Sequence, residues 1–361
     1  VSLITSATVD TITIRPENIL IIKDIDSFME TNVVSININE DKECYAKRLE
    51  NYKLKNTLFD GQALIDNSIF PSWGNGYILL RHHMTKMAAF DSYIQNFFKD
   101  YFGEKYESAQ ITDMWGNKHC AKDIKLITTE NATKWTKFDV SYEYWSERVR
   151  ENGCQFGIVK TAHKSKLGNV QKMSYQMINA LDVDIIDNVT AESQHYIQQL
   201  KTDDNIFLDY LEKNKNFSND YDVLIALCKQ NKDFFRCDYF RSRRYEIIRA
   251  YVKKFKTGKV INKGDNLVIV GNPYAMLLHS VGEDIQNDTT FEQESNGIQC
   301  YTERFGFNQH LAAFRSPFNS KNNMSYLHNV YDERLKKYFN IGEQCIAVNM
   351  IETDFQDRNN G

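Results

Sequence analysis

Along the chain, hydrophobic and polar positions first alternate, then recur at spacings of three and four, then alternate again. Thr11 to Ile22 reads Thr-Ile-Thr-Ile-Arg-Pro-Glu-Asn-Ile-Leu-Ile-Ile, which predicts two short strands around a turn at Pro16. Residues 57–86 mix Gly-rich turns with strand runs such as Tyr77-Ile78-Leu79-Leu80. Met87, Phe90, Ile94, Phe97, Phe98 and Tyr101 then fall at helical spacing and predict the buried stripe of one helix. Strand, loop and strand are expected over 124–162. From about 168 to 256 the period is helical: Val170, Met173, Met177 and Leu181 mark one helix, Ile206, Leu208 and Leu211 a second, Val223, Leu224 and Leu227 a third. Gly258 ends the last, where only glycine takes a left-handed cap cheaply. Strands return at 267–270, 311–314 and 345–348. The pattern contains no internal repeat and no low-complexity tract.

Length and composition narrow the class. At 361 residues the chain exceeds one ordinary hydrophobic core, so two or three domains are expected. With 42% hydrophobic residues, 22 Phe and 20 Tyr against only 4 Pro and 16 Gly, it is built for packed cores and not for flexible linkers. Seven cysteines, an odd number with no CxxC pair, exclude a disulfide framework or a zinc ribbon and fit a cytoplasmic protein. No apolar run approaches the ~18 residues of a membrane span, so no membrane partner is expected, and Val1–Ile22 is too interrupted by polar residues for a signal peptide. The chain begins on Val1 and ends in loop chemistry from Asp357 to Gly361; the expectation is a fragment of something longer.

Four constellations carry candidate chemistry. Leu58-Phe59-Asp60-Gly61 is a tight turn, and the strand beyond it runs into Arg81, His82, His83 and Lys86; such a cluster is either a site or a solvated strand end. Lys134 and Lys137 flank Trp135; lysine binds phosphate as a point charge, and the indole either stacks on a ligand or packs. Between Arg241 and Lys263 stand nine Lys and Arg, among them Arg243, Arg244, Lys253 and Lys254, against one acid, Glu246. In a chain of net charge -4 that run is a polyanion-facing surface or a solvated amphipathic helix. Arg315 stands where Pro317 ends a strand, placing it at the mouth of a sheet. His82, His83, His119 and Cys120 lack metal-ligand spacing, and the paired acids Asp24/Asp26 and Asp182/Asp184/Asp187 read as surface carboxylates.

Taken in order, these segments resemble the core of the cellular RNA-dependent RNA polymerases of RNA silencing and their bacterial and phage relatives, which carry two double-psi β-barrels. Phe59-Asp60-Gly61 through Lys86 resembles the opening of the family's first barrel, without the residue the family inserts between Phe and Asp; Lys137-Phe138 resembles a second first-barrel segment, without its Arg-Pro. Ser174–Val183 resembles a following helix, and Arg315-Ser316-Pro317 an Arg-x-Pro strand of the second barrel. Asn360-Gly361 would open the family's acidic metal loop.

The resemblance implies an α+β fold: two double-psi-type barrel units joined by a helical segment, the second truncated at its C-terminal end. The boundaries expected are 1–56, an N-terminal β-rich segment; 57–165, the first barrel; 166–256, the helical connector; and 257–361, the incomplete second barrel. It also implies a nucleotidyltransferase that makes RNA on a nucleic-acid template from nucleoside triphosphates. Lys86, Lys137 and Arg315 are the implied catalytic residues, the lysines facing phosphates and Arg315 the ribose. Arg81, Lys134, Arg243, Arg244, Lys253 and Lys254 are the expected substrate contacts. Mg2+ is expected in the full-length protein, on carboxylates just after Gly361, and not in this fragment. A phage or mobile-element origin is expected from the departures. The alternative is a non-catalytic nucleic-acid-binding barrel module.

Overall fold

The computed structural model describes residues 7–168, 170–174, 183–315 and 323–355. Its contacts divide the chain into two units. The first comprises 1–163, 267–315 and 322–361, and the second 164–266 and 316–321. The architecture is mixed α+β.

The first unit opens with β1 (Asp10–Thr13), β2 (Ile19–Ile22), β3 (Asp26–Ile38), β4 (Cys44–Thr57), β5 (Gln62–Asp66), β6 (Tyr77–His82) and β7 (Thr85–Ser92). There follow α1 (Ile94–Phe102), β8 (Gln110–Thr112), β9 (Lys118–Cys120), β10 (Leu126–Thr129), α2 (Tyr142–Glu151) and β11 (Gln155–Thr161). One seven-stranded sheet runs β1-β11-β6-β7-β5-β10-β2, with β5 parallel to β7 and β10 parallel to β2. The two strands expected around Pro16 are present, and they hydrogen-bond into this sheet although they lie in the stretch set apart as N-terminal. β3 and β4 form a separate long hairpin whose Val34, Ile36 and Ile38 stay exposed.

The helix expected from Met87 onward begins only at Ile94. Met87 and Phe90 belong to β7, which is sandwiched between β5 and β6. Their spacing of three comes from a strand buried on both faces near its end, where apolar residues no longer alternate. α2 stands where the sequence pattern predicts a loop between two strands. It is amphipathic over only three turns, capped by Ser141, whose hydroxyl accepts from the Tyr144 N–H.

In the second unit β12 (Val170–Ser174) is followed by α3 (Ile186–Thr202), α4 (Asp204–Asn214), α5 (Tyr221–Gln230), α6 (Asp238–Lys256) and β13 (Lys259–Lys263). The helix expected through Val170 and Met173 is instead a strand, because β13 offers an antiparallel partner for all five of its residues; Met177 and Leu181, with most of Ser174–Val183, lie outside the described residues. Leu200, Phe207, Leu211, Leu224, Phe240 and Tyr251 form the core. Gly258, at φ +88°, ends α6 as expected.

The remaining elements return to the first unit: β14 (Val268–Gly271), α7 (Pro273–Ser280), β15 (Gln293–Glu294), β16 (Gly297–Tyr301), β17 (His310–Phe314), β18 (Met324–Asn329), α8 (Glu333–Tyr338) and β19 (Cys345–Val348). They build a second sheet, β14-β19-β16-β18-β17 with β15 on β16. The two sheets meet directly: Leu20, Leu64 and Phe90 of one share a hydrophobic core with Val270, Cys300 and Ala347 of the other. Their backbones also approach closely. A Cβ at Gly271 would lie 2.4 Å from the Leu58 carbonyl oxygen, and one at Gly76 would lie 1.9 Å from that of Ile341, so side chains are excluded at both.

Candidate functional site

Where β5 meets β14, Gln62 is buried and exchanges two hydrogen bonds with Gly271: its Oε1 accepts from the Gly271 N–H at 2.9 Å and its Nε2 donates to the Gly271 carbonyl at 3.3 Å. Beside this joint lies a cavity of about 460 Å³. Gln62, Ala88 and Phe90 line it from the first sheet, Ile269 and Gly271 from the second, and Arg315, Asp60 and Lys55 bring charge to it. Arg315 follows the last residue of β17, an edge strand, and lines the cavity from the sheet margin. Ser316 and Pro317 lie outside the described residues.

Asp60 sits in the turn before β5. Gln62 N–H donates to the Phe59 carbonyl at 3.0 Å, and Gly61 takes φ +70°, which favours glycine there. The half-buried Asp24 fixes this turn. Its carboxylate accepts from Phe59 N–H at 3.0 Å, Asn131 Nδ2 at 2.9 Å, Thr129 Oγ1 at 3.2 Å and Ile25 N–H at 2.9 Å. Burial still pushes its carboxyl above the usual range, against those hydrogen bonds. With its oxygens so engaged, Asp24 is a brace for the turn.

Lys86 lies on β7 two residues before Ala88, on the same face of the pleated strand and about 7 Å along it. Arg81 pairs with it directly across β6. Lys86 N–H donates to the Ala132 carbonyl at 3.0 Å, and Thr85 bridges to Thr133, which draws the segment carrying Lys134 against the end of β7. Lys134 Nζ comes 3.9 Å from Asp60 Oδ1. Partial burial lowers the Lys86 ammonium below the usual lysine range, and the charges of Arg81, Lys134 and Lys160 lower it further. Four cations from four segments therefore share one neighbourhood at the margin of the cavity. Among the described residues Lys86 has no carboxylate in ion-pair contact, so an anion arriving there would meet unneutralised charge.

Trp135 is 1% exposed. It stacks between Trp115 at 5.5 Å and Trp145 at 5.4 Å, so of the two readings of this indole the structure selects packing. The stack holds the short 3-10 turn Lys134–Phe138. Lys137 is exposed on that turn, three residues after Lys134 and hence on the same side, but among the described residues no contact ties it to the cavity.

The basic run divides. Arg243 makes a two-pronged contact with Asp220, Nη2–Oδ1 2.7 Å and Nε–Oδ2 3.1 Å, and also pairs with Glu246. Arg244 donates to Asp204 Oδ1 at 2.6 Å and to the carbonyls of Leu200 and Asp203, with its guanidinium 4.8 Å over the Phe207 ring. Both are clamps between helices. Their guanidinium donors are already engaged by carboxylates and carbonyls of this unit. Lys253 and Lys254 are exposed.

In the sequence Asp60 and Gln62 stand only as parts of a turn and the run that follows it, and Lys160 stands in no constellation. Gln62 had a visible signal, a lone polar residue heading an apolar strand. Lys160 had none, since its place depends on the pairing of β11 with β6.

No family model matches the sequence, and no curated protein matches it. Eight solved chains match in structure. One is the RNA dependent RNA polymerase QDE-1 from Thielavia terrestris, 12% identical, with a TM-score of 0.47 over 95% of this chain and 34% of that one. The chain thus spans about a third of the length of that neighbour.

Proposed function

We propose that the chain is a core portion of a nucleotidyltransferase that synthesises RNA on a nucleic-acid template, its two sheets being those of two double-psi-type barrels. The observation that carries this reading is the gathering of Arg81, Lys86, Lys134 and Lys160 around the margin of a cavity between two sheets, with Arg315 reaching the same cavity from the second sheet. Converging cations offset charge on a triphosphate and on the phosphoryl group as it transfers. Lys86 is the member best placed to gain, since a bound phosphate restores the charge that burial and its neighbours disfavour. Arg315 suits the ribose hydroxyls, which a planar fork of donors can engage together. Lys137 and Lys134 would extend the phosphate path along the 3-10 turn.

Phosphoryl transfer of this kind employs divalent ions on carboxylates. Among the described residues no three His, Cys, Asp or Glu form a group able to hold a metal, and Asp60 is the one carboxylate lining the cavity. The part of the described residues is to bind and orient the nucleotide.

The reading is tested by titrating the chain with a fluorescent ATP analogue, then competing with ATP and dATP. Arg315→Ala should narrow the preference for ATP over dATP, and Lys86→Ala should weaken both alike. Binding of RNA with no competition by nucleotides would overturn the reading in favour of a nucleic-acid-binding module.

A further inference from the structure

With Arg243 and Arg244 paired to acids, a different set of cations on α6 stands free of carboxylates among the described residues. Taken at intervals of four, four and three, Tyr245, Arg249, Lys253 and Lys256 lie along one face of the helix. Arg249, Lys253 and Lys256 are exposed, and Tyr245 is 66% exposed. Among the described residues none of these three cations is in an ion pair. The acids nearest in sequence are engaged elsewhere: Glu246 with Arg243, and Asp238 with Arg241 at 3.9 Å. Cations in the last turn of a helix complement its dipole, which accounts for Lys253 and Lys256. It does not account for Arg249, nor for the absence of any acid along the row.

We infer that this row is a contact surface for the sugar-phosphate backbone of single-stranded RNA. The row spans about 17 Å at the helical rise of 1.5 Å per residue, long enough to meet several phosphates in succession. Charge complementarity selects a polyanion. The exposed phenol ring among the cations selects a strand whose bases are free to stack, because every base offers a π-face to an aromatic side chain. A membrane-binding helix would instead expose aliphatic residues beside its cations, whereas Ile247 and Ile248 of α6 are buried. The inference stands independently of the proposed nucleotide site, since it uses only residues of the second unit.

The test is fluorescence anisotropy of a labelled oligouridine with the full chain across about 50 to 200 mM salt. The triple variant Arg249→Glu, Lys253→Glu, Lys256→Glu should bind at least ~10-fold more weakly and flatten the plot of log affinity against log salt by about 2, at roughly 0.7 per lost single-strand phosphate contact. The control carries the same charge change on the β3–β4 hairpin, Lys47→Glu, Arg48→Glu, Lys53→Glu, and should retain the slope. Tyr245→Ala should lose affinity about 5-fold or more, with little change of slope, and Tyr245→Phe should restore it. Circular dichroism of each variant checks that the helices persist; if the triple variant loses helix, Arg249→Gln with Lys253→Gln takes its place. Equal loss in the triple variant and the control, or binding to phosphatidylserine vesicles that the triple variant abolishes while leaving RNA binding intact, would overturn the inference. Duplex RNA competing as well as oligouridine would remove the role of Tyr245.

Discussion

Two groups of cations in this molecule are assembled in opposite ways. Around β7, Arg81 and Lys86 of one hairpin are joined by Lys134 and Lys160 from distant segments, and burial first, then these charges, hold the Lys86 ammonium below the usual range. On α6, Arg243, Arg244, Arg249 and Lys253 are neighbours in sequence and end with different partners. Two are paired with Asp220 and Asp204, and two face water without a carboxylate partner among the described residues. A helix turns adjacent side chains about 100° apart, so a run of like charges is shared among its faces. A sheet does the reverse, bringing remote residues into register across strands spaced about 5 Å apart. Clustering along the sequence is therefore a poor guide to clustering in space.

The comparison can be broken most sharply at His82, the residue between the site cation Arg81 and the loop. Its ring is buried on the opposite face of β6, and desolvation first, then the nearby His83, lowers its pKa from the ordinary 6.5 to about 4. The folded state thus holds His82 neutral while the unfolded chain binds a proton between those values. Stability is full above pH 6.5 and falls as the pH drops toward 4, by on the order of 3 kcal/mol. Urea unfolding at a series of pH values checks this, and His82→Phe, which retains an aromatic ring beside Phe156, should remove most of the dependence. An unchanged pH profile in that variant would mean that other groups carry it.

Next in size is Arg244. Replacing it with Ala removes three hydrogen-bonded partners in a side chain only 14% exposed and should cost the helical unit about 2 kcal/mol, since hydrogen bonds of charged groups contribute ~1.5–3 each and solvent recovers part. The midpoint of urea unfolding reads it. Within the sheet cluster, Lys86→Ala should weaken triphosphate binding about 10-fold, equivalent to ~1.4 kcal/mol, whereas Lys137→Ala should weaken it only about 2-fold; isothermal titration with ATP separates the two. Smallest of all, Arg249→Ala should leave stability within about 0.5 kcal/mol, although it lies only five residues from Arg244. A larger loss would show that the outer face of α6 packs on something.

Much of the fold was legible as pattern. The strands at Tyr77–His82, Val268–Gly271, His310–Phe314 and Cys345–Val348, the helices through Leu211 and Leu224, and the cap at Gly258 all follow from local periodicity and turn chemistry. Misreadings arose where a long-range partner outweighed local spacing: Met87 and Phe90 in a strand flanked on both sides, and Val170 and Met173 in a strand made by β13. For the site, Lys86 and Arg315 were legible as residues at strand ends, and the cavity places Arg315 with Asp60.

By itself the sequence determined which residues could be cationic, those strands and helices whose local pattern no distant partner overrides, and that a basic stretch ends at Lys263, because these depend on neighbours within a few positions. Only the tertiary structure decided which cations act together. That choice rests on sheet register, which sets Lys160 of β11 against β6, and on helix packing, which gives Arg243 and Arg244 their carboxylates while leaving Arg249 without one among the described residues. Both are contacts between residues far apart in the chain, and no local pattern encodes them.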